Sequence, residues 1–247
     1  SELAKSETFI STHGGKIFEG YEALIRSNEV DAIYLPLPPA LHYKWGKKVL
    51  ENGKHLLMEK PFTTSLAETQ ELLSLAEKKG LAVHENYMFL YHSQLKKVKE
   101  LIVDGTLGEL RLIRAAFGFP MRGKDDFRYQ KAMGGGALLD CGGYPVRLAL
   151  ELLGETAKVT QSHLIQPEGY EVDLYGNAVL ENKNGLCAQI SFGMDNAYQC
   201  QLEVWGSRAT LIAPRVFTAP VGFDAEIEIK GSQEVSQHFF INDDSFK

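Results

Sequence analysis

Two groups of residues in this chain have the types and spacing to handle a carbonyl oxygen and a proton. The first is Glu59-Lys60-Pro61, directly after the apolar run 55–58. A lysine ammonium at the end of a buried strand offers positive charge and N–H donors to a substrate oxygen. Pro61 stiffens the turn that aims it. The plainer reading is an exposed lysine in an ordinary strand-to-helix loop. The second group is the run Gly134-Gly135-Gly136 followed by Asp140, Cys141 and Tyr144. If a helix begins within the glycines, Asp140 and Tyr144 lie four apart and share a face. A carboxylate beside a phenol orients it, and a nearby lysine lowers the phenol's pKa. Spacing alone leaves another reading open, a glycine loop that lets a helix approach a sheet with Tyr144 as packing. Pro145 removes one helical hydrogen bond, which predicts a kinked turn beside Tyr144.

The elements that must position these groups change character along the chain. Residues 31–37 read as a buried strand running into a turn at Pro36, Pro38 and Pro39. Leu41, Trp45 and Val49 then repeat at helical spacing up to the Asn52-Gly53 stop. After the strand at 55–58, Ser65 and Glu68 form a capping box that opens a helix closed by Gly80, and 81–84 is the next strand. Strand–helix–strand–helix–strand with short connections predicts a parallel sheet. Beyond a helix near 93–103 strands dominate: 186–192 after an Asn184-Gly185 turn, a hairpin over 202–213, then AEIEIK and EVSQHFF. The fold class predicted is α/β followed by α+β. A partial Rossmann-like domain spans 1–88, and 89–247 forms a substrate-binding and oligomerisation domain with a large open, mostly antiparallel sheet. One face of such a sheet packs on helices. Its free face is expected to carry enough apolar residues to bury against another subunit, giving a homodimer or homotetramer.

Composition excludes several classes. The 247 residues are 44% hydrophobic and 23% charged, ordinary globular usage. A net charge of −6 disfavours nucleic acid as a partner. No apolar run approaches the ~20 residues of a membrane span, and the polar start is no signal peptide. Three cysteines without CxxC spacing predict free thiols and a cytoplasmic setting. Seven histidines without HxxxH or HxH spacing predict no metal. Cys141 has no local histidine to activate it and reads as packing.

Together, Glu59-Lys60-Pro61 and GGGALLDCGGYP, about seventy residues apart in that order, resemble the glucose–fructose oxidoreductase, inositol dehydrogenase and rhizopine-catabolism family of NAD(P)-dependent oxidoreductases. The resemblance covers essentially the whole chain from DAIYLPLPPALH onward. It implies Lys60 as the active-site lysine, with Asp140 and Tyr144 at the family's Asp and His positions. It further implies Leu35, Pro36, His42, Glu59, Lys60, Pro61 and Asn86 along the cofactor. Tyrosine instead of histidine at 144, with ENYMFLYHSQ, FRYQKAMGGGALLD, FGMDNAY and PRVFTAP, is similar to the nucleotide-sugar (dTDP-keto-sugar) 3-ketoreductases. Arg128 and Arg215 have the planar fork that suits a diphosphate. Arg128 is assigned to the cofactor, and Arg215 to the substrate together with Lys60 and Tyr144.

The family's G-x-G-x-x-G turn is not among these residues, and the run at 134–136 comes too late to replace it. The expectation is a longer polypeptide with a strand–glycine turn–helix unit ahead of Ser1. The chemistry implied is reduction of a keto sugar, nucleotide-linked, with NADP or NAD as cofactor. Lys60 holds the developing oxyanion, and Tyr144 delivers the proton with Asp140 orienting the pair. Two alternatives stand beside it: a dehydrogenase of a free sugar or cyclitol, and a non-catalytic sensor or assembly protein on the same fold.

Overall fold

In the computed structural model, which describes residues 3–231 and 236–244, the chain divides into two compact units. The first ends at Asn86 and the second begins at Tyr87.

The first unit opens with helices α1 (Leu3–His13) and α2 (Tyr21–Arg26). A three-stranded parallel sheet follows: β1 (Ala32–Leu35), β2 (His55–Glu59) and β3 (Val83–Asn86), in that order. Helices α3 (His42–Glu51) and α4 (Leu66–Lys79) are the crossovers. Ile33, Leu35, Leu56 and Met58 from the strands pack with Val49, Leu50, Leu72 and Ala76 from these helices. The Ser65 hydroxyl accepts from the Glu68 N–H at 3.2 Å, the cap expected for α4. Gly80 ends α4 at φ 65°, and the Leu81 N–H donates back to the Ala76 carbonyl at 2.9 Å. That closing turn absorbs Leu81 and Ala82, so the strand predicted at 81–84 starts two residues later.

The second unit is an eight-stranded sheet with α5 (Ser93–Val103) and α6 (Gly143–Leu153). Its strands are β4 (Leu110–Gly118), β5 (Lys158–Ile165), β6 (Tyr175–Glu181), β7 (Cys187–Gly193), β8 (Gln199–Gly206), β9 (Ala209–Ala213), β10 (Asp224–Gly231) and β11 (Ser236–Asn242). The order is β11-β10-β9-β8-β4-β7-β6-β5, antiparallel throughout except for the β4–β7 pair. Of the strand expected at EVSQHFF, Glu234 and Val235 lie outside the described residues. Ile113, Ala115 and Phe117 of β4, Ile190 and Phe192 of β7, and Leu202 and Val204 of β8 share one core with Val98 and Leu101 of α5 and Leu148 and Ala149 of α6.

The other face of that sheet corrects an expectation. Its centre carries Arg114, Asn177, Gln189, Ser191, Gln201 and Glu203, with Val179 and the partly exposed Trp205 among them. The centre of the face is mainly polar because β4, β7 and β8 send Ile113, Ala115, Phe117, Ile190, Phe192, Leu202 and Val204 to the helix-covered side.

Candidate active site

In the first unit the parallel register brings the expected residues to one edge. Leu35 pairs with Met58 at the ends of β1 and β2, and Glu59 pairs with Asn86 at the ends of β2 and β3. This is the carboxyl edge of the sheet, where open α/β sheets bind ligands. One carboxylate oxygen gathers all three strands: Glu59 Oε1 accepts from Tyr34 Oη at 2.6 Å and from Asn86 Nδ2 at 2.7 Å. Burial, then the Glu59 carboxylate, pushes the Tyr34 phenol up to about 12, so it stays a donor. Pro36 follows on the exposed surface, and Lys60 and Pro61 are partly buried, joined by a cis peptide.

His42 is fully buried, with Nδ1 2.8 Å from the Pro61 carbonyl and Nε2 2.6 Å from the Leu37 carbonyl. Both ring nitrogens thus face main-chain oxygens. The imidazole, expected along the cofactor, ties the loop after β1 to the loop that carries Lys60.

In the second unit the glycine run wraps the backbone of a short helical turn, Phe127–Tyr129. Gly136 N–H donates to the Arg128 carbonyl at 2.9 Å, and a Cβ on Gly135 would lie 2.3 Å from that same oxygen. Gly136 has φ +119°, where a Cβ would also meet Asp173 Oδ1 at 2.5 Å. Asp173 Oδ2 accepts from the Leu138 N–H at 2.7 Å and starts the next element. That element is a π-helical turn, Leu138–Gly142, leading straight into α6. The irregular turn expected beside Tyr144 is therefore present. Its wide winding falls just ahead of Pro145, which sits in the first turn of α6, where a missing N–H is tolerated.

This folding delivers Asp140 to Arg128. Arg128 Nε donates to Asp140 Oδ2 at 2.8 Å, and Nη1 donates to Asp126 Oδ1 at 3.1 Å and Oδ2 at 3.3 Å. The three side chains are only 13–20% exposed. Burial opposes the charge on Arg128, but Asp140 and then Asp126 outweigh it and hold the guanidinium above its ordinary value. Burial likewise works against the Asp126 carboxylate, and the Arg128 backbone N–H and guanidinium overcome it. Two carboxylates thus engage Nε and Nη1 of Arg128, the residue expected at the cofactor.

Tyr144 is 8% exposed and ringed by aromatics. Its ring centroid lies 4.8 Å from Phe117, 5.2 Å from Tyr87, and 5.9 Å from both Phe89 and Phe217. Gly143 beside it is required, since a Cβ there would fall 2.0 Å from the Tyr87 hydroxyl. Arg215 lies on the loop that also supplies Phe217. Its Nε donates to the Thr218 carbonyl at 2.8 Å, and its guanidinium rests over Tyr198 at 5.3 Å and Phe223 at 5.1 Å. Sequence reasoning missed Tyr34, Asp126 and the aromatic ring around Tyr144. Only Asp126 left a local signal, the two-residue spacing by which an Asp caps a turn at Arg128. Cys141 is buried and donates to the Ala137 carbonyl, in keeping with packing. Among the described residues no cluster of three potential metal ligands occurs, and no helix is long and apolar enough to cross a membrane.

Comparison with known proteins agrees with this geometry. Residues 1–87 match the family model of the GFO/IDH/MocA oxidoreductases with an NAD-binding Rossmann fold, and residues 95–212 match the GFO/IDH/MocA C-terminal domain. The chain is 38% identical to a dTDP-3,4-didehydro-2,6-dideoxy-alpha-D-glucose 3-reductase from Actinomadura kijaniata, over 98% of this chain and 73% of that protein. It is 41% identical to the enzyme of the same name from Saccharopolyspora spinosa, over 92% and 68% respectively. The crystal structure of KijD10, a 3-ketoreductase from Actinomadura kijaniata in complex with NADP and TDP-benzene, superposes with a TM-score of 0.92 at 38% identity, covering 98% of this chain and 74% of that one. A parallel sheet edge bearing Lys60, a mostly antiparallel sheet packed on the helical segment that bears Asp140 and Tyr144, and matches of this extent lead to one conclusion: the chain belongs to the GFO/IDH/MocA family of oxidoreductases.

Proposed function

We propose that this oxidoreductase reduces the keto group of a nucleotide-linked sugar with NADP as its cofactor. The observation that carries the reading is the fixed phenol of Tyr144, one turn from an ion-paired Asp140, in a chain so similar to dTDP-keto-sugar 3-reductases. The residues at the sheet edge suit the carboxamide end of a nicotinamide. Asn86 Nδ2 is engaged by Glu59, which turns its amide oxygen into the acceptor on offer, and the exposed Pro36, just after the buried Leu35, supplies apolar surface at the end of β1. The glycine turn that would cradle the pyrophosphate is not among residues 1–247, so these residues are proposed for the nicotinamide end alone. When bound, the nicotinamide supplies the hydride that the carbonyl carbon receives. Lys60 places its ammonium against the carbonyl oxygen and steadies the negative charge that grows there. Tyr144 gives its phenolic proton to that oxygen, and Asp140 holds the phenol's orientation. Arg215, stacked on two aromatic rings, is proposed to meet the substrate's diphosphate.

The experiment is a steady-state assay of the enzyme with NADPH against keto sugars linked to dTDP, linked to other nucleotides, and free. Turnover of the nucleotide-linked compounds is the expected result. Faster oxidation of a free sugar or cyclitol would establish the alternative, and no turnover in either direction would favour a non-catalytic role. Three cysteines outside any disulfide support a reducing, cytoplasmic setting. The polar free face of the eight-stranded sheet is proposed as the contact between copies in a homodimer or homotetramer.

A further inference from the structure

We propose that Arg128 is a positioning residue for proton delivery. Clamped between Asp126 and Asp140, it fixes the Asp140 carboxylate, and through it the Tyr144 phenol. The inference rests on the reading of Tyr144 as the proton donor and adds the part that holds it in register. Three observations support it. Arg128 does not reach Asp140 by chance of surface drift, since its side chain is four-fifths buried and its guanidinium lies 4.6 Å over the Phe127 ring. Its backbone is gripped as firmly as its side chain: Gly136 binds its carbonyl, and Asp126 Oδ1 accepts from its N–H at 3.0 Å as well as from its guanidinium. Gly135 admits no side chain because the chain must pass against the Arg128 turn, and Gly136 admits none because of Asp173, before the chain climbs through the π-helical turn to Asp140. Asp126 thus anchors the arginine, the arginine holds Asp140, and Asp140 stands one turn before Tyr144. With its charge balanced by two carboxylates, Arg128 offers little to an anionic substrate, so its influence belongs in kcat and not in KM.

The test is kinetic, on the complete enzyme with NADPH and a nucleotide-linked keto sugar. Arg128→Met is expected to lower kcat about 10²-fold, the scale of a misplaced reacting group, with both KM values nearly unchanged. Arg128→Lys should recover part of that loss, because it restores the charge without the fork. Asp126→Asn, which leaves Arg128 in place but loosens it, should show a smaller fall. In an Asp140→Asn background Arg128→Met should cost nothing further, the non-additivity expected of residues that act as one unit. A rise in KM at constant kcat, or additive losses with Asp140→Asn, would each overturn the inference. Absence of activity in the unmutated enzyme would instead overturn the proposed reaction on which it rests.

Discussion

A phenol transfers its proton well only when the ring is already aimed, and Tyr144 is aimed by contact on several sides. Phe117, Tyr87, Phe89 and Phe217 surround its ring, so rotation is paid out before any substrate arrives. Tyr144→Phe keeps that packing and removes only the hydroxyl. The expected outcome is a folded protein whose turnover falls roughly 10²–10⁴-fold, the usual worth of general acid catalysis. Nicotinamide binding, measured by fluorescence titration, should barely change. Lys60→Met should also lose most of the turnover. Near-normal activity in Tyr144→Phe would transfer the acid role to Lys60 and leave Tyr144 as packing. At the sheet edge, Glu59 serves as a knot, since Tyr34 and Asn86 both donate to one of its oxygens. The glutamate of the Glu59-Lys60-Pro61 triplet therefore orders the strand end from which Lys60 departs.

At the scale of elements, α5 is held at its start by a residue far along the chain. Asp243 Oδ2 accepts from the Ser93 N–H at 2.8 Å and from its hydroxyl at 2.5 Å. The Ser93 hydroxyl and then its N–H, followed by the Asp244 N–H, hold the Asp243 carboxyl down at about 2. A carboxyl lowered by folding stabilises the native state above its unfolded value, and that contribution is lost as pH falls toward the folded one. The stability difference between the wild-type protein and Asp243→Asn should therefore be constant above about pH 5 and shrink between pH 4 and pH 2, as followed by urea unfolding. A difference independent of pH would show that the cap acts without its charge.

Elements of this kind were unequally legible in the sequence. Helix α4 announced both ends, through Ser65 and Gly80, and β2 stood out as an apolar run between turns. Strand β4 did not, because Arg111 and Arg114 interrupt its alternation, although it lies at the centre of the sheet. Strand β5 is exposed along nearly its whole length and has no apolar face to betray it. The glycine run was visible, but its purpose was not: it serves Arg128, and that contact is made by folding back over the chain. Phe117 and Phe217 reach Tyr144 from a strand and a loop far away in sequence, and no local spacing encodes such a meeting.

For the whole molecule, the free face of the eight-stranded sheet is the surface to watch. Polar interfaces between subunits are sustained by hydrogen bonds and ion pairs, such as the exposed Arg114–Glu203 pair at 3.3 Å makes available, with Trp205 as an aromatic contact beside it. Sedimentation at micromolar concentration should give a dimer or tetramer, and Ser191→Arg, on that face, should shift the protein toward monomer. A wild-type monomer under those conditions would refute the assignment. The substitution should leave α5, α6 and the Tyr144 surroundings undisturbed, because they occupy the opposite side of the sheet.

The position of β4 in the strand order has a consequence for synthesis. Its two neighbours in the finished sheet are β7 and β8, and β7 begins only at Cys187, whereas β4 ends at Gly118. At ~5–20 residues per second the ribosome needs roughly 3.5 to 14 seconds to cover that gap. Throughout it, the strand bearing Ile113, Ala115 and Phe117 has left the ribosome with neither hydrogen-bonding edge paired. The β5–β6 hairpin emerges within the same interval but borders β4 nowhere, and joins the sheet only through β7. The nascent chain is consequently stickiest in mid-translation, and the strand that later forms the middle of the sheet is the one a chaperone must cover first.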